Sequence, residues 1–191
     1  MIGAMKQLGS TQVYANSWMT VREDRIERPD GSNGIYGVVD KPHYALVIPY
    51  EDEHFHLVEQ FRYPLSARRW EFPQGTAPER AEVPAATLAA RELAEETGLR
   101  AGQMTELGTL DVAPGLSSQQ GTVFLATELT RGEPSRELEE QDMNSAWFSR
   151  AELETMIRSG TIADAQTLAA YLRLLLHEGS ANAGREPGRE H

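Results

Sequence analysis

The sequence predicts a mixed α/β/α sandwich preceded by a small N-terminal β-region. Residues up to about 62 alternate as strands do, broken by clusters of turn residues. One helical segment follows at 84–97, strand patterns return, and two helical patterns close the chain. Strands, one helix, strands and then helices do not alternate regularly, which argues for a mixed sheet covered by helices rather than a parallel one. With 191 residues, 40% of them hydrophobic and 25% charged, the chain can bury one full core. We divide it into an N-terminal β-region at 1–40, a main domain at 41–177 and a flexible tail at 178–191.

Each element has a local reason. "SWMTVREDRIERP" alternates, "PDGSNG" gathers turn residues and "GIYGVVD" is β-rich. "HYALVIPY" and "FHLVEQFRY" flank the polar "EDEH" and read as a hairpin. Pro84 suits a first helical position, the alanines with Leu88 and Leu93 favour helix, and Gly98 sits where a C-terminal cap belongs. Ala86, Ala89, Ala90 and Leu93 are expected to face the sheet. "MTELGTLDVA" and "GTVFLATEL" are strands around "PGLSSQQ", and "NSAWF" is a short strand after a polar loop. Ser149 with Glu152 forms a capping box opening "AELETMIRSG". "DAQTLAAYLRLLLH" places Leu168, Tyr171, Leu172, Leu175 and Leu176 on one stripe, expected to pack on the sheet. From Glu178 the chain is poor in large apolar residues, which is the basis for a flexible tail.

Composition excludes several function classes. Eighteen basic against 29 acidic residues give a net charge of -11, which opposes a nucleic acid backbone or an anionic membrane. An anionic substrate therefore needs a local basic patch or a bound metal. The absence of cysteine removes disulfide and thiolate chemistry. No stretch reaches the roughly 18 apolar residues of a membrane span, and the first ten residues lack a long apolar core. A soluble, cytoplasmic protein is the expectation.

"RELAEETGL", residues 91–99, carries the chemistry. At about 100° per residue Glu92, Glu95 and Glu96 share one arc, so their carboxylates can converge. A Glu-rich helix most often means a solvated face. Here, however, Glu95 and Glu96 occupy the last turn, where the dipole disfavours acids by roughly 0.3–1 kcal/mol each. Glu92 also opposes both at i,i+3 and i,i+4, for roughly 0.2–0.5 kcal/mol per pair. Only Arg91 offers local relief. Several broken local rules in one turn point to function, and a divalent cation removes the conflict. Oxygen-only ligands suit Mg²⁺ or Mn²⁺.

This stretch resembles the second half of the Nudix box, matching R-E-apolar-x-E-E-x-G-apolar at every defined position, with Gly75 resembling its opening glycine. The resemblance implies a Nudix-type sandwich in which Glu92, Glu95 and Glu96 bind Mg²⁺ or Mn²⁺, Arg91 orients them by a salt bridge, and the Gln74 backbone carbonyl adds a ligand. One departure stands out: the spacing from Gly75 to Arg91 is two residues longer than the family's, within "TAPERAEVP", which unsettles the role of Glu82.

"VEQFRYPLSARRWEFPQG", "APGLSSQ", "ELEEQDMNSAWFS" and "SGTIADAQTLAAYL" are similar to ADP-ribose pyrophosphatases, with Pro114 and the adjoining Gly115 at the place of a marker proline. That likeness implies hydrolysis of a small nucleoside diphosphate derivative, foremost ADP-ribose to AMP and ribose 5-phosphate. Another nucleotide sugar, or a dinucleoside polyphosphate suggested by "WEFPQG", stays open, as does a non-catalytic nucleotide sensor. Aligning "EEQDM" with similar enzymes points to Glu139 as general base, with Glu140 next and Glu95 or Glu96 as alternatives. Arg62 is the candidate phosphate clamp, whereas Arg68 and Arg69 read as surface salt-bridge residues. Trp18 or Tyr36 is a candidate for stacking on adenine. Similar pyrophosphatases are homodimers that exchange N-terminal strands, so these aromatics are also candidates for the partner's site. His54 and His56, two apart, read as a solvent-exposed pair.

Overall fold

The computed structural model describes residues 4–77, 81–136 and 141–183. Among the described residues ten strands and three α-helices form, and the predicted elements come in the expected order. A three-stranded antiparallel sheet comes first, from β1 (Lys6–Ala15), β2 (Thr20–Glu27) and β3 (Asn33–Asp40). Little of β1 is covered, with Leu8, Val13 and Tyr14 each at least half exposed. The main sheet is built from β4 (Tyr44–Glu51), β5 (His54–Arg62), β6 (Ala67–Glu71), β7 (Gln74–Thr76), β8 (Leu99–Asp111), β9 (Gln120–Arg131) and β10 (Asn144–Ser149). Its order is β10-β5-β4-β9-β8, with β6 on β5 and β7 on β4. Only β4 and β9 run parallel, so the sheet is mixed as expected.

The helices α1 (Ala85–Thr97), α2 (Arg150–Ser159) and α3 (Ala165–Ala183) complete the sandwich. Strand β4 is apolar on both faces because both are covered. Tyr44, Leu46 and Ile48 join Phe55, Leu153, Tyr171 and Leu174 on the α2/α3 side, while Ala45 and Val47 meet Leu88, Ala89 and Leu93 of α1 on the other. Strands β4 and β5 pair only near their turn, through Tyr50 with Phe55 and Glu51 with His54. Beyond it they diverge, β7 taking the edge of β4 and β6 the edge of β5. That split in the sheet opens the pocket described below.

The Ser149–Glu152 capping box forms on both sides. Pro84 caps α1 rather than entering it, and Gly98 ends it in the left-handed region at φ 75°. Only glycine fits there: a Cβ would also overlap the Gly132 carbonyl.

Two packing expectations need correction. In α1 the buried residues are Leu88, Ala89, Glu92, Leu93 and Glu96, while Ala86 and Ala90 are exposed. The sheet-facing arc thus runs through the glutamates themselves. In α3 the stripe is Thr167, Ala170, Tyr171 and Leu174, leaving Leu172, Leu175 and Leu176 exposed. Consecutive leucines at 174–176 cannot all face one way on a 3.6-residue repeat. The helix also runs past Glu178, where the tail was expected to begin, and Glu178 accepts a bond of 2.7 Å from Arg150.

Thr167 joins α3 to the strand leading into the site, its buried hydroxyl accepting the Phe72 N–H at 3.0 Å. Replacing it with the near-isosteric valine leaves that N–H unmatched in the core. Thr167→Val is expected to lower stability by about 1–3 kcal/mol in urea denaturation; an unchanged midpoint would show that the bond contributes nothing.

Candidate active site

A pocket of about 750 Å³ lies where β4 and β5 part. Gln74, Gly75 and Thr76 of β7 and Glu92 of α1 form one wall, and Arg62, Arg69 and Glu71 another. Asp164, just before α3, Lys41 and Trp18 also line it. Three cations at one opening supply the local basic patch that the net charge of the chain demands.

The glutamates of α1 lie at three depths. Glu96 is 0% exposed, Glu92 6%, and Glu95 half-buried. Arg91 holds two of them, through Nη2 to Glu92 at 3.0 Å and Nε to Glu95 at 3.4 Å, while Nη2 also donates to the Thr76 carbonyl at 3.3 Å. The orienting salt bridge is therefore present. The carboxylates do not meet at one point: among the described residues no three acidic or imidazole side chains are gathered closely enough to hold an ion. Glu92 and Glu95 are held by Arg91, and Glu96 is fully buried beneath them.

Acid at a helix C-terminus also needs the helix carbonyls satisfied, and Gly98 together with the segment after β9 does this. Gly98 N–H donates to Ala94 O at 3.0 Å, Ser135 N–H to Glu95 O at 2.9 Å and Arg136 Nε to Glu96 O at 3.1 Å. Arg136 is thus the cation that the dipole favours there, and its Nη1 reaches on to the Met143 carbonyl. Composition gave no sign of it, because the contact spans 40 residues.

These residues fit a hard dication by two observations. The donors are oxygens only, as Mg²⁺ and Mn²⁺ prefer. Gly75 forms a cradle: a Cβ there would overlap the Glu92 carboxylate, so the backbone of β7 at Gly75 lies directly against it.

Arg62 lines the pocket, but its fork is engaged. Nε donates to Glu71 Oε1 at 2.7 Å and Nη2 bonds Oε2. Burial acts against its charge, yet Glu71, helped by Asp164 and Glu96, raises its pKa above the ordinary value. Arg68 makes the surface pairs expected of it, with Glu59 and Asp142. Arg69 does not match its expectation: it faces the pocket. Strand alternation holds the signal, since neighbours on β6 point to opposite faces.

Trp18 lines this chain's own pocket and is 66% exposed. Tyr36, Pro114 and Gly115 are not brought there. The Tyr36 hydroxyl donates to Gly115 O at 2.9 Å, Val39 N–H to Leu116 O at 2.9 Å and Ser117 Oγ to Val39 O at 2.8 Å. The marker-proline loop thus ties the N-terminal sheet to the main domain. Glu82 is exposed in a separate depression with Val83 and Leu88. Glu139 and Glu140 lie outside the described residues. Glu71, Asp164 and Lys41 escaped the sequence reading because long-range packing alone places them.

The histidine pair is split. His54 is exposed, whereas His56 is buried edge-on to Trp147, with ring centroids 4.8 Å apart. Burial, then the charges of Arg131 and Arg136, push its pKa down to about 4.

Comparison with known proteins places these features in a family. Residues 5–39 match the nucleoside diphosphate sugar hydrolase N-terminal domain and residues 41–171 the NUDIX domain. The chain is 32% identical to an ADP-ribose pyrophosphatase of Mycobacterium tuberculosis, over 86% of this chain and 80% of that protein. It is 31% identical to an ADP-ribose pyrophosphatase of Bacillus subtilis, over 91% and 94%. The solved structure of an ADP compounds hydrolase matches with a TM-score of 0.79, covering 97% of this chain and 99% of that one; its 22% identity makes this a likeness of fold.

Two outcomes follow from the geometry. Gly75→Ala should displace Glu92 and weaken Mn²⁺ binding by about ten-fold or more, read by electron paramagnetic resonance, while Gly37→Ala, with open space around it, should not; equal affinities would remove the cradle from the metal site. For His56, the unfolded state binds the extra proton between its ordinary 6.5 and the folded value of about 4. Stability should therefore fall as pH drops through that window, and His56→Gln should flatten the fall; an unaltered slope would assign it to other groups.

Proposed function

We propose a substrate from one premise: this chain belongs to the NUDIX family, as a pyrophosphohydrolase related to ADP-ribose pyrophosphatases. Within that family it cleaves a nucleoside diphosphate joined to a sugar, ADP-ribose to AMP and ribose 5-phosphate. The carrying observation is that one pocket holds an aromatic side chain from the β1–β2 connection, a cationic rim and the acidic helix. An adenine face, a diphosphate and its counter-ion need those three surfaces. The nucleoside diphosphate sugar hydrolase match at 5–39 supports the sugar-linked reading over dinucleoside polyphosphates.

Each side chain then has a task. Glu92, Glu95 and Glu96, with the Gln74 carbonyl, hold Mg²⁺ or Mn²⁺, and Arg91 fixes the first two. When bound, the ion neutralises the diphosphate and acidifies a water. Lys41 and Arg69 receive the phosphates. Arg62 is committed to Glu71 and braces the wall between them, which moves the clamp role assigned from sequence to its neighbours. Trp18 stacks on adenine. Glu139 accepts the proton of the attacking water, with Glu140 or an α1 glutamate in reserve.

The uncovered β1 strand supports a homodimer formed through the N-terminal sheet. Among the described residues no helix is long and apolar enough to cross a membrane, in keeping with a cytoplasmic enzyme acting on a small molecule.

A product assay tests the reading. With Mg²⁺ or Mn²⁺, ADP-ribose should yield AMP and ribose 5-phosphate faster than GDP-mannose, NADH or diadenosine polyphosphates are cleaved. Glu96→Gln should lower kcat by at least about 100-fold with the fold retained by circular dichroism. Preference for another substrate would overturn the ADP-ribose assignment; wild-type turnover in the variant would remove Glu96 from the metal site.

A further inference from the structure

Tyr44 on β4 has a hydroxyl that the fold does not use. The residue is 5% exposed, and its Oη meets no hydrogen-bond partner among the described residues. Buried polar groups in native proteins are nearly always matched, so an orphaned hydroxyl calls for an explanation. This one belongs to a residue lining the pocket. The ring cannot swing away to find a partner: it stands opposite Gly121 on β9, so close that a Cβ at Gly121 would overlap it. Gly121 is the space that lets a tyrosine lie here, where leucine or phenylalanine would satisfy the core without an unmatched oxygen.

Its chemical setting narrows what can bind. Burial, then the negative charge of Asp164, push the phenol pKa up to about 12, so at neutral pH it is a hydrogen-bond donor. Asp164 lines the same pocket and is itself fixed, Oδ2 accepting Thr167 N–H at 2.8 Å and Gln74 Nε2 at 3.4 Å. A phosphate oxygen against this phenol would face the Asp164 carboxylate. A sugar hydroxyl does not conflict, because it accepts from the phenol and donates to the carboxylate.

We infer that Tyr44 and Asp164 form a donor–acceptor pair that binds a ribose hydroxyl of the substrate. This rests on the nucleotide-sugar reading above and adds a specificity-determining residue to it. The hydroxyl can belong to either ribose of ADP-ribose, and two analogues separate them, one lacking the hydroxyls of the terminal ribose and one built on 2′,3′-dideoxyadenosine.

Tyr44→Phe tests the pair. On ADP-ribose the variant should lose about ten-fold in kcat/KM, chiefly through KM, as for one hydrogen bond. Wild type should lose about as much on one of the two analogues, and the variant no further on that analogue. The analogue showing this non-additivity names the ribose. Because the hydroxyl has no internal partner, Tyr44→Phe should also unfold at or above the wild-type temperature. Equal kinetics of variant and wild type on ADP-ribose, losses that multiply on both analogues, or a lowered Tm would each overturn the pairing. If wild type leaves ADP-ribose intact, the substrate reading itself falls and the inference with it, a result seen before the variant is tested.

Discussion

Placing carboxylates within the sheet-facing arc of α1 is the constraint around which the surrounding structure is arranged. Glu92 and Glu96 share that arc with Leu88, Ala89 and Leu93, positions that an ordinary amphipathic helix gives to apolar side chains. A buried carboxylate without compensation is costly, and several features make the arrangement tolerable. Gly75 removes the side chain that would collide with Glu92. Arg91 pairs with Glu92 and Glu95, and Arg136 and Ser135 close the helix end from a distant part of the chain. Each is a local concession to a charge that packing alone would exclude. A dication completes the compensation in the function proposed here.

The divergence of β4 and β5 turns that helix into a site. A sheet paired along its full length would offer no opening beside α1. Here β6 and β7 fill the split edges and bring Arg69, Glu71 and Gln74 around one space. The N-terminal sheet, tied to the main domain through the loop at 113–118, brings Trp18 to the same space. In the function proposed, nucleotide recognition and acid chemistry thereby come from different parts of the chain, held together by hydrogen bonds of the loop at 113–118.

What could be read from sequence follows the range of the interaction. The capping box at Ser149, the Gly98 terminus and the Arg91 pairs depend on neighbours within a turn or so, and periodicity exposes them. The Nudix-type sandwich was legible through the glutamate motif and the order of elements. The buried arc of α1 was misplaced because hydrophobic patterning favours alanines over glutamates, and only the position of β7 decides otherwise. Arg62 carried the correct chemistry for a clamp, but its bidentate partner Glu71 occupies another strand. Tyr36 meets the Gly115 carbonyl away from the pocket, a contact spanning 79 residues that periodicity does not report. Tyr44 carries no sequence signal of its own, because its unmatched oxygen is defined only by the packing of β4 against β9.

In the function proposed, the acidic arc of α1 receives a divalent cation. Calorimetric unfolding of the wild-type chain, in chelator and then in rising Mg²⁺ or Mn²⁺ at constant ionic strength, tests it directly. A ligand bound only by the folded state raises the melting temperature with concentration, and the account predicts such a rise, absent with Na⁺ alone. Identical melting in chelator and in saturating dication would contradict it.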